Sequence, residues 1–201
     1  MIELSVKKKL GNFLLDTELV GSGFICLSGK NGSGKTSLLN CMAGVYAIDS
    51  GWIRVNGYDI ANLPIEKRGA VLVSYNSFIP HLTVEEHLSF GLRFRKVKED
   101  SSTLQLVASK LHINPKLELR QLSLGNRSKV ALLTALIAFP RLILIDELFS
   151  NLDNKEEFMK EYKEIAKSNS LDVIYTTQHN EDAKLADYHY VMENGKAKKV
   201  F

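Results

Sequence analysis

Apolar positions along the chain follow two periods. Met1-Ile2-Glu3-Leu4-Ser5-Val6-Lys7 alternates, as a strand buried on one face does. Phe24 to Leu27, Gly69 to Ser74, Leu142 to Ile145 and Leu171 to Thr176 are instead apolar runs, the mark of parallel strands covered on both faces. Residues 1–30 hold two or three strands. Trp52-Ile53-Arg54-Val55 with Asn56-Gly57 reads as strand and turn, and Glu193-Asn194-Gly195 turns a last hairpin. Helical signals interrupt these strands. Ser37 to Ala43 opens one helix. Thr83-Val84-Glu85-Glu86 is a capping box that starts an amphipathic helix running to about Leu92, and Ser102-Thr103-Leu104-Gln105 starts another to about His112. Longer helices are predicted over about Asn126 to Phe139 and Glu156 to Lys167. The prediction is a single α/β domain over 1–201: a parallel sheet, antiparallel N-terminal strands and a helical insert spanning about 78–125.

Composition narrows the class. With 45% hydrophobic and 24% charged residues in 201, the chain can bury a sizeable core and is not a disordered segment. Net charge is only +3, and no aromatics interleave with Lys7-Lys8-Lys9 or with Lys196, Lys198 and Lys199. Those lysines read as solvated strand ends, and no nucleic-acid partner is expected. Cys26 and Cys41 sit in apolar runs, one in a strand and one in a helix, which suits reduced thiols and a reducing compartment. The acid and the alternation near the N-terminus argue against a signal peptide. The apolar run Val130 to Ile145 is broken by Pro140-Arg141 and ends in Asp146-Glu147, so it is no membrane span. Work at a membrane would need another chain to cross it.

Candidate chemistry begins at Gly29-Lys30-Asn31-Gly32-Ser33-Gly34-Lys35-Thr36, which fits G-x-x-x-x-G-K-[ST] at every fixed position. A strand precedes it, and a helix opening at Ser37 follows. Glycines let successive backbone N–H groups converge on one anion, and the helix start adds its positive dipole end. Lys35 would reach the β- and γ-phosphates of a nucleoside triphosphate, and the Thr36 hydroxyl would help hold Mg²⁺. A flexible Gly/Ser turn is the plainer reading, and the flanking elements weigh against it.

Leu142 to Ile145 ends in Asp146-Glu147, and carboxylates at the carboxyl end of a parallel strand sit where such sheets bind ligands. Asp146 would hold Mg²⁺ directly or through water, and Glu147 would orient and deprotonate an attacking water. The alternative is that either acid merely caps the next helix. His179 follows another buried strand, and alone it would more often be structural.

Taken in order, the phosphate loop, Leu122-Ser123-Leu124-Gly125-Asn126, Asp146-Glu147, Ser150-Asn151-Leu152-Asp153 and His179 resemble the ATP-binding-cassette (ABC) ATPase domain over essentially the whole chain. Gly51 to Gly57 and Pro80-His81-Leu82-Thr83-Val84 also look like family segments. The resemblance implies ATP and Mg²⁺ as ligands, with Lys35 and Glu147 catalytic and His179 as a switch histidine on the γ-phosphate. Ser123, Gly125 and Asp153 would contact ATP held by a second subunit, Asp153 from the family's D-loop. Three departures stand out. Leu124 and Asn126 replace a glycine and a glutamine of the family signature, and Leu148 stands in place of a proline. The glutamine expected in the loop before Pro80 is missing, which leaves Ser74, with Asn76 nearby, as the candidate metal contact. Phe13 is the nearest candidate to stack on adenine, and it is equally readable as a core residue.

The implied function is ATP hydrolysis by a dimer of cassettes that drives transport through membrane-spanning permease subunits, from the cytoplasmic face of the cell membrane. Leu10-Gly11-Asn12-Phe13 and the Pro80 segment look most like ATPase subunits of importers for oxyanions, polyamines or iron, with molybdate or tungstate named first. The final hairpin ends at Phe201, so no additional C-terminal regulatory domain is expected. Two alternatives remain at this stage: a soluble, non-transport ABC protein, and a nucleotide-gated binding module with little turnover.

Overall fold

The computed structural model describes residues 1–94 and 113–201. Two sheets form the frame. Strands β1 (Ile2–Leu10), β2 (Phe13–Gly21), β4 (Ser50–Val55) and β5 (Tyr58–Asp59) make an antiparallel sheet in the order β2-β1-β4-β5. Strands β3 (Phe24–Ser28), β6 (Ala70–Val73), β7 (Leu142–Ile145), β8 (Asp172–Thr177), β9 (Tyr188–Glu193) and β10 (Lys196–Lys199) make the second, in the order β10-β9-β3-β8-β7-β6. It is parallel except for the terminal β9–β10 hairpin. Every residue of β3, β7 and β8 is buried, which is why those runs are apolar without alternation.

Register puts the functional edge in one place. Ser28 of β3 pairs with Thr177 of β8, and Ile145 of β7 pairs with both Tyr175 of β8 and Val73 of β6. The residues that follow these strands therefore leave the sheet side by side at its carboxyl edge.

Four α-helices lie among the described residues: α1 (Lys35–Ala43), α2 (Val84–Phe94), α3 (Leu124–Ile137) and α4 (Lys155–Ser168). The main core packs α1 between the antiparallel sheet and one face of the parallel sheet, around Leu4, Leu19, Leu38, Met42 and Ile53. α3 and α4 cover the other face, with Phe24, Phe149, Tyr162 and Tyr175 forming a ring cluster. α2 and α3 hold a separate, smaller core of Val84, Leu88, Leu92 and Val130 with Leu119 and Leu122.

The Thr83–Glu86 capping box is present: Thr83 N donates to Glu86 Oε2 at 2.8 Å, and Glu86 N donates to Thr83 Oγ1 at 3.2 Å. The helix expected over Ser102 to about His112 lies outside the described residues. α3 begins at Leu124 rather than Asn126, because Ser123 caps it and accepts the Asn126 N–H at 3.3 Å. Asn56-Gly57 and Asn194-Gly195 turn their hairpins with positive φ, as the sequence predicts. Cys26 and Cys41 are free and buried, and burial pushes their thiols up to about 12 and about 11. At those values they are not reactive thiolates near neutral pH.

Candidate nucleotide site

The loop from Gly29 to Gly34 leaves β3 and curls into α1. Gly34 sits at the helix N-cap with φ 106°, a left-handed conformation that favours glycine. It offers no side-chain cap, and α1 has no acid in its first turn, so the first amides of the helix keep their attraction for an anion. The turn of the β9–β10 hairpin braces the loop from behind: Gly195 N donates to the Ser33 carbonyl at 2.9 Å.

Lys35 is 4% exposed, and its ammonium donates to the carbonyls of Gly29 (2.7 Å) and Lys30 (3.2 Å). It also lies 3.4 Å from Glu147 Oε1. Thr36 Oγ1 is 2.9 and 3.1 Å from the two Asp146 carboxylate oxygens, and Thr176 Oγ1 donates to Asp146 Oδ1 at 2.8 Å. The Glu147 N–H donates back to Thr176 Oγ1 at 3.0 Å. Glu147 itself adopts φ 57°, uncommon for a residue with a side chain, and the bonds of Thr176 to its amide and of the Ser150 hydroxyl to its carbonyl hold it there.

These groups border a cavity of about 360 Å³ whose lining includes Leu10, Phe13, Asn31, Lys35, Thr36 and Glu147. Phe13 both lines that cavity and packs on the main core, so the two sequence readings of it are compatible. On the other side of the loop a second cavity, of about 440 Å³, includes Lys30, Ser33, Gln178 and Asn180 in its lining. Ser33 Oγ is buried without a hydrogen-bond partner, a polar atom that an incoming phosphate oxygen would satisfy. Thr36 and Asp146 together are the hard oxygen donors that suit Mg²⁺, which needs one or two carboxylates alongside phosphate.

Not every expected residue reaches this centre. The Ser74 backbone N–H donates to Ser77 Oγ at 2.9 Å, and the Ser74 hydroxyl lies 3.5 Å from that same oxygen. The loop after β6 thus turns on itself, and Ser74 lines a crevice with Phe78, Leu124 and Leu148. No hydrogen bond joins it to Thr36 or Asp146 among the described residues. His179 is exposed, and its backbone is engaged on both sides: its N–H donates to Thr177 Oγ1 at 3.1 Å and its carbonyl accepts from the Asp182 N–H at 3.2 Å. The residue before it reaches the acid: Gln178 Nε2 donates to Glu147 Oε2 at 3.2 Å. A glutamine next to a histidine carries no sequence signal of that kind.

Ser123 stands exposed at the start of α3. A Cβ on Gly125 would come within 2.9 Å of the Asn151 carbonyl oxygen and 3.9 Å of Asp153 Oδ2, so glycine lets α3 approach the loop that carries Asp153. Ser123, Gly125 and Asp153 therefore sit on one surface, apart from the cavity over Lys35.

A glycine loop on a helix start, with a lysine, a hydroxyl and two acids converging on it, defines a phosphate-loop nucleoside triphosphatase. Residues 15–150 match the family described as ABC transporter. The molybdate/tungstate import ATP-binding protein of Archaeoglobus fulgidus is 35% identical over 97% of this chain and 84% of its own length. The protein of that name from Pyrococcus horikoshii is 38% identical, and the molybdenum import ATP-binding protein of Paramagnetospirillum magneticum 34%. These cover 90% and 98% of this chain, which spans only 54% and 58% of those two relatives. The chain belongs to the ABC transporter family and carries its ATPase domain. The fold agrees. A dimeric ATP-binding cassette in a post-hydrolysis state with ADP and Pi superposes with a TM-score of 0.81 at 20% identity, covering 100% of this chain and 99% of that one. An ABC-transporter cassette in its ADP conformation gives 0.79 at 19% identity, over 98% and 89%.

Proposed function

We propose that this chain is the ATP-hydrolysing subunit of an importer for an oxyanion of the molybdate or tungstate type. It would work as a pair of copies on the cytoplasmic side of a membrane-spanning partner. The observation that carries the reading is the convergence of Lys35, Thr36, Asp146 and Glu147 at one end of the parallel sheet. The names of the relatives support the substrate class. Among the described residues no helix is long and apolar enough to cross a membrane, so the path for the oxyanion is assigned to the partner.

In this reading the loop amides and Lys35 hold the β- and γ-phosphates, with Lys35 drawn from Glu147 toward the incoming charge. Mg²⁺ at Thr36 and Asp146, when bound, offsets negative charge on the phosphates. Phe13 offers its ring to the base. Glu147, released from Lys35, takes a proton from the attacking water. Ser123 and Gly125 of one copy face the phosphates held by the other, so ATP closes the pair and hydrolysis reopens it.

The test is Glu147→Gln, followed by phosphate release, equilibrium ATP binding and sedimentation with and without ATP. We expect ATP to be bound, turnover to fall by about 10²-fold or more, and dimer to accumulate. Turnover within about threefold of wild type would remove Glu147 as the base. A wild-type chain that closes with ATP and releases no phosphate would instead be a nucleotide-gated binding module.

A further inference from the structure

The segment that follows β8 is fixed by its own side chains. The Thr177 hydroxyl donates to the Asp182 carboxylate, which also pairs with Lys155 at the start of α4 (2.5 Å). The Asn180 side-chain oxygen accepts from Ser28 Oγ at 2.7 Å, and Ser28 lies 2.8 Å from Nε2 of buried His189. Thr177, Asn180 and Asp182 are thus tethered into the protein, and the His179 amide is tied to Thr177. His179 has extended backbone (φ −110°, ψ 121°), so neighbouring side chains point to opposite sides. Both side chains are exposed, and of the two Gln178 faces the Glu147 carboxylate while His179 points to the opposite side.

We propose that Gln178, rather than His179, is the positioning residue of the hydrolytic step. This rests on the reading of Glu147 as the base. One amide N–H holds Glu147 Oε2, while the amide oxygen accepts a hydrogen bond from the attacking water, so a single planar group sets base and nucleophile relative to each other. The water oxygen bonds to the γ-phosphorus as the bond to the β,γ-bridging oxygen breaks. One water proton passes to Glu147, the other stays on the phosphate released, and ADP keeps the bridging oxygen. An amide does not titrate, so this contact carries no switch in the pH range where an imidazole would change charge.

The experiment compares Gln178→Ala, Gln178→His and His179→Ala in the full chain, reading kcat, KM, ATP binding and the pH profile. Gln178→Ala should lower kcat about tenfold, the size expected for one hydrogen bond to a charged group, with KM and ATP binding held within about twofold. Gln178→His should restore part of kcat and add an acidic limb near the ordinary histidine range. His179→Ala should cost several-fold less than Gln178→Ala. A His179→Ala loss equal to or larger than that of Gln178→Ala overturns the proposal, as does a Gln178→His profile with no new limb. Glu147→Gln is run alongside. If it abolishes turnover while Gln178→Ala does not lower kcat, only Gln178 loses its role. If Glu147→Gln keeps turnover, the reading beneath it falls as well.

Discussion

The carboxyl edge of the parallel sheet and the start of α3 both carry residues of the inferred reaction, and they differ in completeness. At the sheet edge every charged group has a partner within the chain: Lys35 with Glu147 and two carbonyls, Asp146 with Thr36 and Thr176. At α3, Ser123 accepts from amides of its own helix, those of Asn126 and Arg127, and Leu124 beside it is 44% exposed. One region is a preorganised site, and the other is a surface that requires something to face. The contrast is what the proposed division of the reaction between two copies requires.

The largest effects should come from breaking the preorganised half. Lys35→Ala removes the side-chain cation that, among the described residues, reaches both the loop carbonyls and Glu147, and leaves the phosphate charge without it. ATP binding, measured by calorimetry, should fall by about 10²-fold or more, in line with losing a charge-assisted contact in a buried site. Retention of wild-type affinity would mean that the loop amides suffice. Glu147→Gln should separate binding from turnover, whereas Lys35→Ala should lose both.

The other half is tested with Ser123→Arg. A long cation at the α3 start should abolish the ATP-dependent dimer of Glu147→Gln, while ATP binding by the single chain stays near wild type because Ser123 lies outside the cavity over Lys35. Sedimentation of the double variant decides this. A dimer that persists unchanged would show that the α3 surface does not face the partner's nucleotide.

The same division explains what was legible in the sequence. The phosphate loop is a local pattern between a strand and a helix, so its place and its Lys35–Thr36 pair could be read directly. Asp146 and Glu147 were legible because a buried strand must end at the sheet edge. The residues after β8 were not. Gln178 and His179 are both exposed, and which of them faces Glu147 depends on a segment tethered by the pairs Ser28–Asn180, Thr177–Asp182 and Lys155–Asp182, between 5 and 152 positions apart in the chain. The surroundings of Ser74 were not legible for a similar reason, because the loop after β6 closes through Ser77. The start of α3 was missed by two residues because Ser123 serves as both cap and candidate contact.

The helical region should also differ in its response to acid. His87 of α2 is 6% exposed and lies 2.9 Å from Thr134 Oγ1 of α3. Burial lowers its pKa from 6.5 to about 4, outweighing a hydrogen bond to the Ser77 backbone that raises it. Between those values the unfolded chain binds a proton that the native chain does not, so stability falls as pH drops from 6.5 toward 4. At about 1.4 kcal/mol per unit, the loss reaches about 3 kcal/mol. Denaturant unfolding of wild type and His87→Gln at pH 7.5 and 4.5 should show a smaller acid loss in the variant. Equal losses would place the acid sensitivity elsewhere.

The smallest effect concerns the strand beside the acids. Asp146 N donates to the Val73 carbonyl at 2.8 Å, so the residue after Val73 leaves the sheet next to Asp146. Ser74 is too short to use that position and spends its hydrogen bonds on Ser77. A glutamine there would extend its amide oxygen past the serine turn toward the Thr36–Asp146 pair. Ser74→Gln should therefore lower the magnesium concentration for half-maximal hydrolysis by about threefold, the scale of one weak polar contact. Ser74→Ala should leave that concentration unmoved, because the wild-type hydroxyl does not point there. A magnesium titration of phosphate release for the three proteins distinguishes the cases. If Ser74→Ala shifts the midpoint as far as Ser74→Gln does, in the opposite direction, the serine hydroxyl already serves the metal. If neither moves it, the carboxyl end of β6 stands outside the site despite its register with Asp146.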